Sequence, residues 1–600
     1  MGNGKKTLAK ALAMLMAATS LFSIAGCEDP NKDKTVIYVK NFGGGVGRAW
    51  LDNAIKDFKA HIGDKQYEEG KTDILFEITS NTSVKSDGMQ TDGTHLYFLQ
   101  EKYSNLYTLI QANAVLDITD IVRDQTLDEY GETGVTIESK INEDYRFAMQ
   151  GTGSYANKYY MLPHYETQSG ASYDVDMFDE WGFYLAKTQT LFSFKSELVG
   201  ETFYFTDMPS EKTVGNDGIA GTDDDGMPTT LDELVAMCEY IKSNNIWPFS
   251  TPGGHIDYAN YLIEGLWTAL AGYEQRAAVT TLSGEVDYVT GVSSEELWKG
   301  TGIKKPITQK AQVTVETGYK AINQAGRYYA FAFMQLAENQ GWFYDRFIDP
   351  DYTHKVAMRS FILNGLGDYD PIAAHVEGSY WYNEAEGYGL FNDYKTHSGG
   401  KEIKNIAHWH MPTAVGTDTN GDGVVDTPAA VVTGPENARE ETAMNNMTAT
   451  CLINGNIDDR PGNEGKIQLC KDFLQFLYTE ENLKKFSATT GVTKALMAYE
   501  VMSDEVQNEL DPYQKTIMNL RANNRVVNQY GNNDMYRNYS PILVYGAASP
   551  GYTPMIGTTS YKSILEVFGK RSDDYDNAWK MFTELGQNEG SWAEMLSAIR

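Results

Sequence analysis

From Thr35 to Val39 the chain is a run of β-branched and apolar positions. It breaks at Asn41-Phe42-Gly43-Gly44-Gly45-Val46-Gly47 and resumes as an amphipathic segment over Ala49 to Ala60. The apolar period changes from two to about 3.6 across the glycines, which predicts strand, tight turn, helix. Further strands are predicted over Asp73 to Thr79 and His95 to Leu99. Near the middle, Pro228 to Leu234 reads as a helix start, with Thr230 as cap and Glu233 three residues on as the return partner of a capping box. Tyr258, Tyr261 and Trp267 share roughly one face of a following helix, and a closing helix pair is predicted over Ala578 to Ile599. Strands alternating with helices predict an α/β fold with a mainly parallel sheet. At 600 residues the chain exceeds what one core holds, so at least two lobes are expected.

The charge balance is 50 basic against 82 acidic residues, a net of −32. Nucleic acid is thereby excluded as a partner, because phosphate binding needs a positive footprint. The 39 Tyr and 10 Trp supply flat amphipathic side chains suited to a sugar-stacking cleft and equally to a large core. At the N-terminus Lys5, Lys6 and Lys10 precede an apolar run, Ala11 to Ile24, too short to span a bilayer. It ends in Ile24-Ala25-Gly26-Cys27, which resembles a bacterial lipobox. That implies a signal peptide over 1–27, lipidation at Cys27 and a polar tether over 28–34, anchoring the chain to the outer face of the cell membrane. Cys238, Cys451 and Cys470 match no zinc spacing; Cys238 and Cys470 fall on apolar helix faces and read as core residues.

The stretch Lys158 to Gly182 crowds Tyr159, Tyr160 and Tyr165 around Leu162-Pro163, then runs through Glu166-Thr167-Gln168-Ser169-Gly170 to Ala171-Ser172-Tyr173-Asp174. Proline fixes one backbone angle and glycine frees another, which suits a chain crossing between two lobes. The stretch resembles the first interlobe crossing of extracellular solute-binding proteins of bacterial carbohydrate ABC transporters. Leu106 to Ile121, Ile246 to Ser250, Phe361 to Glu386 (which contains Gly378-Ser379-Tyr380-Trp381) and Gly465 to Tyr499 resemble further blocks of that family, in the same order. His408-Trp409-His410-Met411-Pro412 resembles its second crossing, and Lys494 stands where the family more often has proline.

The resemblance implies a two-lobed periplasmic-binding-protein-like α/β fold with hinge crossings, the first lobe over 35–165 and 413–498 and the second over 166–412 and 499–600. It implies an oligosaccharide ligand, permease subunits as partners, a monomer and no catalysis. Asn41, Phe42, Trp50, Tyr165, Glu166, Gln168, Tyr258, Trp381, Asn383 and Glu384 are the expected ligand contacts. A pyranose offers an apolar face for an aromatic plane, here Trp381 above all, and a rim of hydroxyls for carboxylates and amides. The competing class is a secreted glycosidase, which needs two placed carboxyls; Glu166 and Glu384 are the candidates.

Two acidic insertions remain. Asp418-Thr419-Asn420-Gly421-Asp422-Gly423-Val424-Val425-Asp426 follows the D-x-N-x-D-G order of a calcium loop. Asp418, Asn420, Asp422, the Val424 carbonyl and Asp426 are its expected ligands, while position twelve is Ala429. The second, Asn216 to Gly226, offers Asp217, Asp223 and Asp225. Structural calcium is the expected cofactor of both.

Overall fold

The computed structural model describes residues 31–80, 86–99, 106–151, 153–189, 192–401, 403–445, 450–457, 462–528, 555–556, 559–570 and 577–599. Cys27 and the expected leader lie outside the described residues. Two large apolar cores divide the chain: one gathers buried residues from Ile37 to Tyr165 and from Cys451 to Met497, the other from Ala171 to Met411 and from Ile564 to Phe582. The arrangement is the expected two-lobed α/β one.

In the first lobe a five-stranded sheet runs in the order Asp73–Ser80, Lys34–Asn41, Leu96–Leu99, Thr450–Ile453, Leu162–Pro163. The first three strands are parallel, and Thr450–Ile453 is antiparallel to both its neighbours. Helix Ala49–Ile62 follows the glycine turn as its periodicity predicts. Its Phe58 packs on Phe473 of helix Glu464–Leu477 (ring centroids 5.1 Å apart), which in turn meets Phe76 of the sheet (4.8 Å).

The second lobe is built on strands Ile406–His408, Ser172–Asp174, Ile372–His375 and Trp247–Ser250, of which only the last two pair in parallel. Helix Leu231–Ser243 starts with the predicted capping box: Glu233 N–H donates to Thr230 Oγ1 (3.2 Å) and Thr230 N–H to Glu233 Oε2 (3.1 Å). The closing helices are Ala578–Glu584 and Glu589–Ile599. Cys238, Cys451 and Cys470 are buried and free. Among the described residues no helix is long and apolar enough to cross a membrane.

Three passages join the lobes. The first leaves Pro163, paired with Thr450, and enters the second sheet at Ser172, paired with His375 and His408. At the second, Asn445 is the last described residue in the second lobe and Thr450 the next described residue, in the first. The third leads from Glu500, paired with Lys484 at 2.7 Å, to helix Pro512–Asn523, whose Thr516 hydroxyl accepts from His408 N–H (3.0 Å).

Two expectations are thereby corrected. His408 to Pro412 is not a crossing, because Ile406–His408 pairs with Ser172–Asp174 inside the second sheet. Alternating apolar and polar positions look alike in a crossing strand and a sheet strand. Residues 413–445, expected in the first lobe, belong to the second. There the hairpin Gly416–Thr417/Thr427–Pro428 docks on the longer hairpin Gly284–Glu296/Lys304–Val313 through Thr308 N–H to Gly423 O (2.8 Å). Thr442–Asn445 then pairs in parallel with Arg525–Asn528.

Candidate functional site

The glycine turn of the first lobe faces the helix Trp381–Gly387 of the second. Phe42 N–H donates to Phe98 O (2.8 Å), continuing the sheet, and Asn41 Nδ2 donates to Phe42 O (3.0 Å) and Gly47 O (3.1 Å), bracing the turn. Gly45 has φ +60, and a Cβ there would lie 2.5 Å from Tyr165 Oη. A Cβ on Gly44 would lie 2.6 Å from Glu384 Oε1. Only a bare backbone approaches both groups this closely. The approach makes a bond between lobes: Gly45 N–H donates to Glu384 Oε1 at 2.6 Å. A second joins Asn383 Nδ2 to Thr490 O at 2.7 Å.

Beside Glu384 the second lobe presents a tyrosine wall. Tyr258 and Tyr261 have ring centroids 5.9 Å apart, Tyr261 and Tyr380 6.2 Å, and the hydroxyls of the latter pair lie 3.4 Å apart. Glu377 lies at this wall, only 2% exposed, its Oε2 3.0 Å from His375 Nε2 and its Oε1 without a hydrogen-bond partner. Burial, reinforced by Asp257, pushes the Glu377 carboxyl well above the usual range. Burial and then the Glu377 charge push Glu384 up to about 7, with the Gly45 N–H pulling the other way. Burial holds His375 neutral, down to about 3, so it supplies no counter-charge.

Of the expected ligand contacts, Phe42, Tyr165, Tyr258 and Glu384 meet at this junction. Asn41 braces it from within, and Asn383 links the lobes beside it. Trp381, the favoured stacking residue, is corrected: it is fully buried in a core with Phe361, Tyr382 and Tyr513, and its Nε1 donates to Ser172 Oγ (2.9 Å). The first turn of its helix points the indole inward and leaves Tyr380, one residue earlier, on the wall. Trp50 likewise packs in the first core, against His164 (4.8 Å) and Phe98 (5.0 Å).

Glu166 is a hinge residue. Its carboxylate receives Arg521 Nε (2.7 Å), Asn445 Nδ2 (3.0 Å) and the Thr493 hydroxyl, binding three chain segments at the passages. Gln168 bridges to Asn445 in the same hinge, its N–H donates to Ser379 Oγ (2.9 Å), and its buried Oε1 has no hydrogen-bond partner. Sequence reading missed Tyr380 and Glu377. The available signal was an acid two residues beyond the buried strand Ile372–His375, where polar side chains need a reason.

The first acidic loop carries an oxygen-only donor set, as a hard cation prefers. Asp418 accepts Gly421 and Gly423 N–H (both 2.7 Å), Asn420 accepts Asp422 N–H (2.8 Å), Asp422 accepts Val424 N–H (2.9 Å) and Asp426 accepts Thr419 N–H (3.0 Å). In the second loop Asp224, not one of the expected ligands, is the anchor: it accepts from Asn216 and Asp217 N–H at 2.6 and 3.1 Å. Asp223 is held by Asn519 Nδ2 (2.5 Å), and Asp225 accepts Gly221 N–H (2.6 Å). Among the described residues no three Asp, Glu, His or Cys side chains converge as a metal site.

No family model matches the chain, and no curated protein does. Solved structures similar to it include a chitin oligosaccharide binding protein, at 13% identity over 94% of this chain and 100% of that one, with a TM-score of 0.49. A cyclic alpha-maltosyl-1,6-maltose binding protein from Arthrobacter globiformis is similar at 11% identity over 94% and 100%, with a TM-score of 0.46. The solute-binding protein RafE in complex with raffinose is similar at 12% identity over 94% and 99%, also with a TM-score of 0.46.

Proposed function

We propose that the chain is an oligosaccharide-binding protein that closes two lobes over its ligand and hands it to an ABC transporter permease. The carrying observation is the junction itself: a glycine turn on one lobe meets a carboxylate and a tyrosine wall on the other, across three hinge passages. Closure assembles these groups, and the ligand favours the closed form by its contacts to both lobes. Acylation at Cys27 would keep the protein, as a monomer, at the outer face of the membrane, where its permease lies.

The glycosidase alternative is not favoured, because the oxygens of Glu166 are committed to Arg521, Asn445 and Thr493 in the hinge. Calcium has a structural role in this reading, at Asp418 to Asp426, supported by the oxygen-only donors in D-x-N-x-D-G order. A thermal-shift screen of the chain from residue 28 against oligosaccharides tests the proposal. Saturable stabilisation with the glycan recovered intact supports it. Cleaved glycan would transfer the protein to the enzymes.

A further inference from the structure

The acids at the junction outnumber their partners. Glu377 is buried with one oxygen unbonded, Glu384 meets a single backbone N–H, and Asp257 adds a third carboxylate to the same electrostatic neighbourhood. Among the described residues none of the three forms an ion pair with a lysine or arginine. Lys355 is exposed, lies over the Tyr388 ring at 4.5 Å and pairs with neither glutamate. Elsewhere buried acids are satisfied within the protein: Asp174 has Lys404 at 2.7 Å, Glu264 has Arg276 at 2.6 Å, and Glu233 accepts from Thr229 and Thr230 N–H at 2.8 and 3.1 Å. Buried carboxylates are costly without a partner, so this site lacks a component that the others carry within the protein. The neighbouring groups are tyrosines, which stack on apolar faces and attract cations through their rings.

We infer that the interlobe site is built for an oligosaccharide bearing a free amine, whose ammonium is received by Glu384 with Glu377 behind it and whose ring lies on the Tyr258–Tyr261–Tyr380 wall. This rests on the carbohydrate reading and narrows it to amino sugars. Gly45 N–H donates from the first lobe to Oε1 of the same Glu384, so receipt of the amine and closure act on one carboxylate.

Three β-1,4-linked trisaccharides test it: the glucosamine trimer, its N-acetylated form and cellotriose, which differ at C2 as amine, acetamide and hydroxyl. Calorimetry with the chain from residue 28, where the amine is protonated, should give about 10-fold tighter binding of the glucosamine trimer than of cellotriose, the gap between a charged and a neutral hydrogen bond. Added salt should narrow that ratio. Glu384→Gln should also narrow it, with Asp257→Asn, an exposed position, as the variant that keeps the test open if Glu384→Gln folds poorly. Equal or tighter binding of cellotriose or the acetylated trimer overturns the inference and leaves the carbohydrate reading standing. Silence from all three with the folded protein overturns the inference and leaves the carbohydrate reading to the wider glycan screen.

Discussion

Replacing Gly45 by alanine tests the interlobe bond from the side where it is most constrained. The residue has φ +60, where a Cβ costs about 1–2 kcal/mol. The new methyl would also lie 2.5 Å from Tyr165 Oη and 3.0 Å from Cζ, an overpacking that costs about 1–3 kcal/mol more. Keeping the turn therefore costs roughly 2–5 kcal/mol. Abandoning it withdraws the Gly45 N–H from Glu384, a charged hydrogen bond of about 1.5–3 kcal/mol. The turn takes the cheaper course, so ligand affinity should fall by about 10- to 150-fold. Titration calorimetry with the glycan found by screening measures it, with a thermal melt to confirm that both lobes stay folded. Gly47→Ala is the control: it also sits at positive φ, but its Cβ would meet open space, so its loss should be smaller. Adding Tyr165→Phe to Gly45→Ala removes the oxygen the methyl meets and should recover part of the loss. Wild-type affinity in a folded Gly45→Ala protein would refute the junction as the site of closure.

Trp381→Ala should destabilise the second lobe by about 3–5 kcal/mol as a buried large-to-small change, while Trp381→Phe should lose about 1 kcal/mol by removing the donor to Ser172 Oγ, which keeps its own bond to Tyr513 Oη, both read by urea denaturation. Arg521→Ala should cost about 2–4 kcal/mol, below the range for a fully buried pair because Arg521 is partly exposed, and Glu166→Gln should restore part of it. Glu384 is raised from the ordinary 4.5 to about 7 in the folded chain, which therefore holds the extra proton between those values. Its contribution is an acid penalty that appears as pH rises from about 4.5 through 7, so stability should decline over that window and Glu384→Gln should flatten the decline. Chelation should lower the melting temperature and leave sugar preference unaltered; an unchanged melt would remove calcium from Asp418 to Asp426.

Local pattern and local chemistry carried most of the fold. The first strands, the helix after the glycine turn, the Thr230 capping box and the passage around Pro163 to Ser172 all depend on residues close in sequence, and all are found where expected. What failed depends on distant partners. Nothing in His408 to Pro412 reveals that Ser172–Asp174 pairs with it, and nothing in Trp381 reveals which of two adjacent aromatics, Tyr380 or Trp381, turns inward. Glu166 reads as a cleft acid until Arg521, some 350 positions on, is seen beside it. The site is thus legible as a segment, Phe361 to Glu386, and settled as side chains only by packing.

The central claim is that a sugar closes the two lobes without being altered. Cys238, Cys451 and Cys470 are buried, so surface cysteines introduced at Lys56 and Thr396, both exposed and on opposite lobes, can be labelled selectively in the chain from residue 28. Energy transfer between the labels, measured as glycan is added, follows closure directly. The account predicts a saturable rise that reverses on dilution and releases intact glycan. Binding of the glycan with no change in transfer, or a change that decays as the glycan is cleaved, would contradict it.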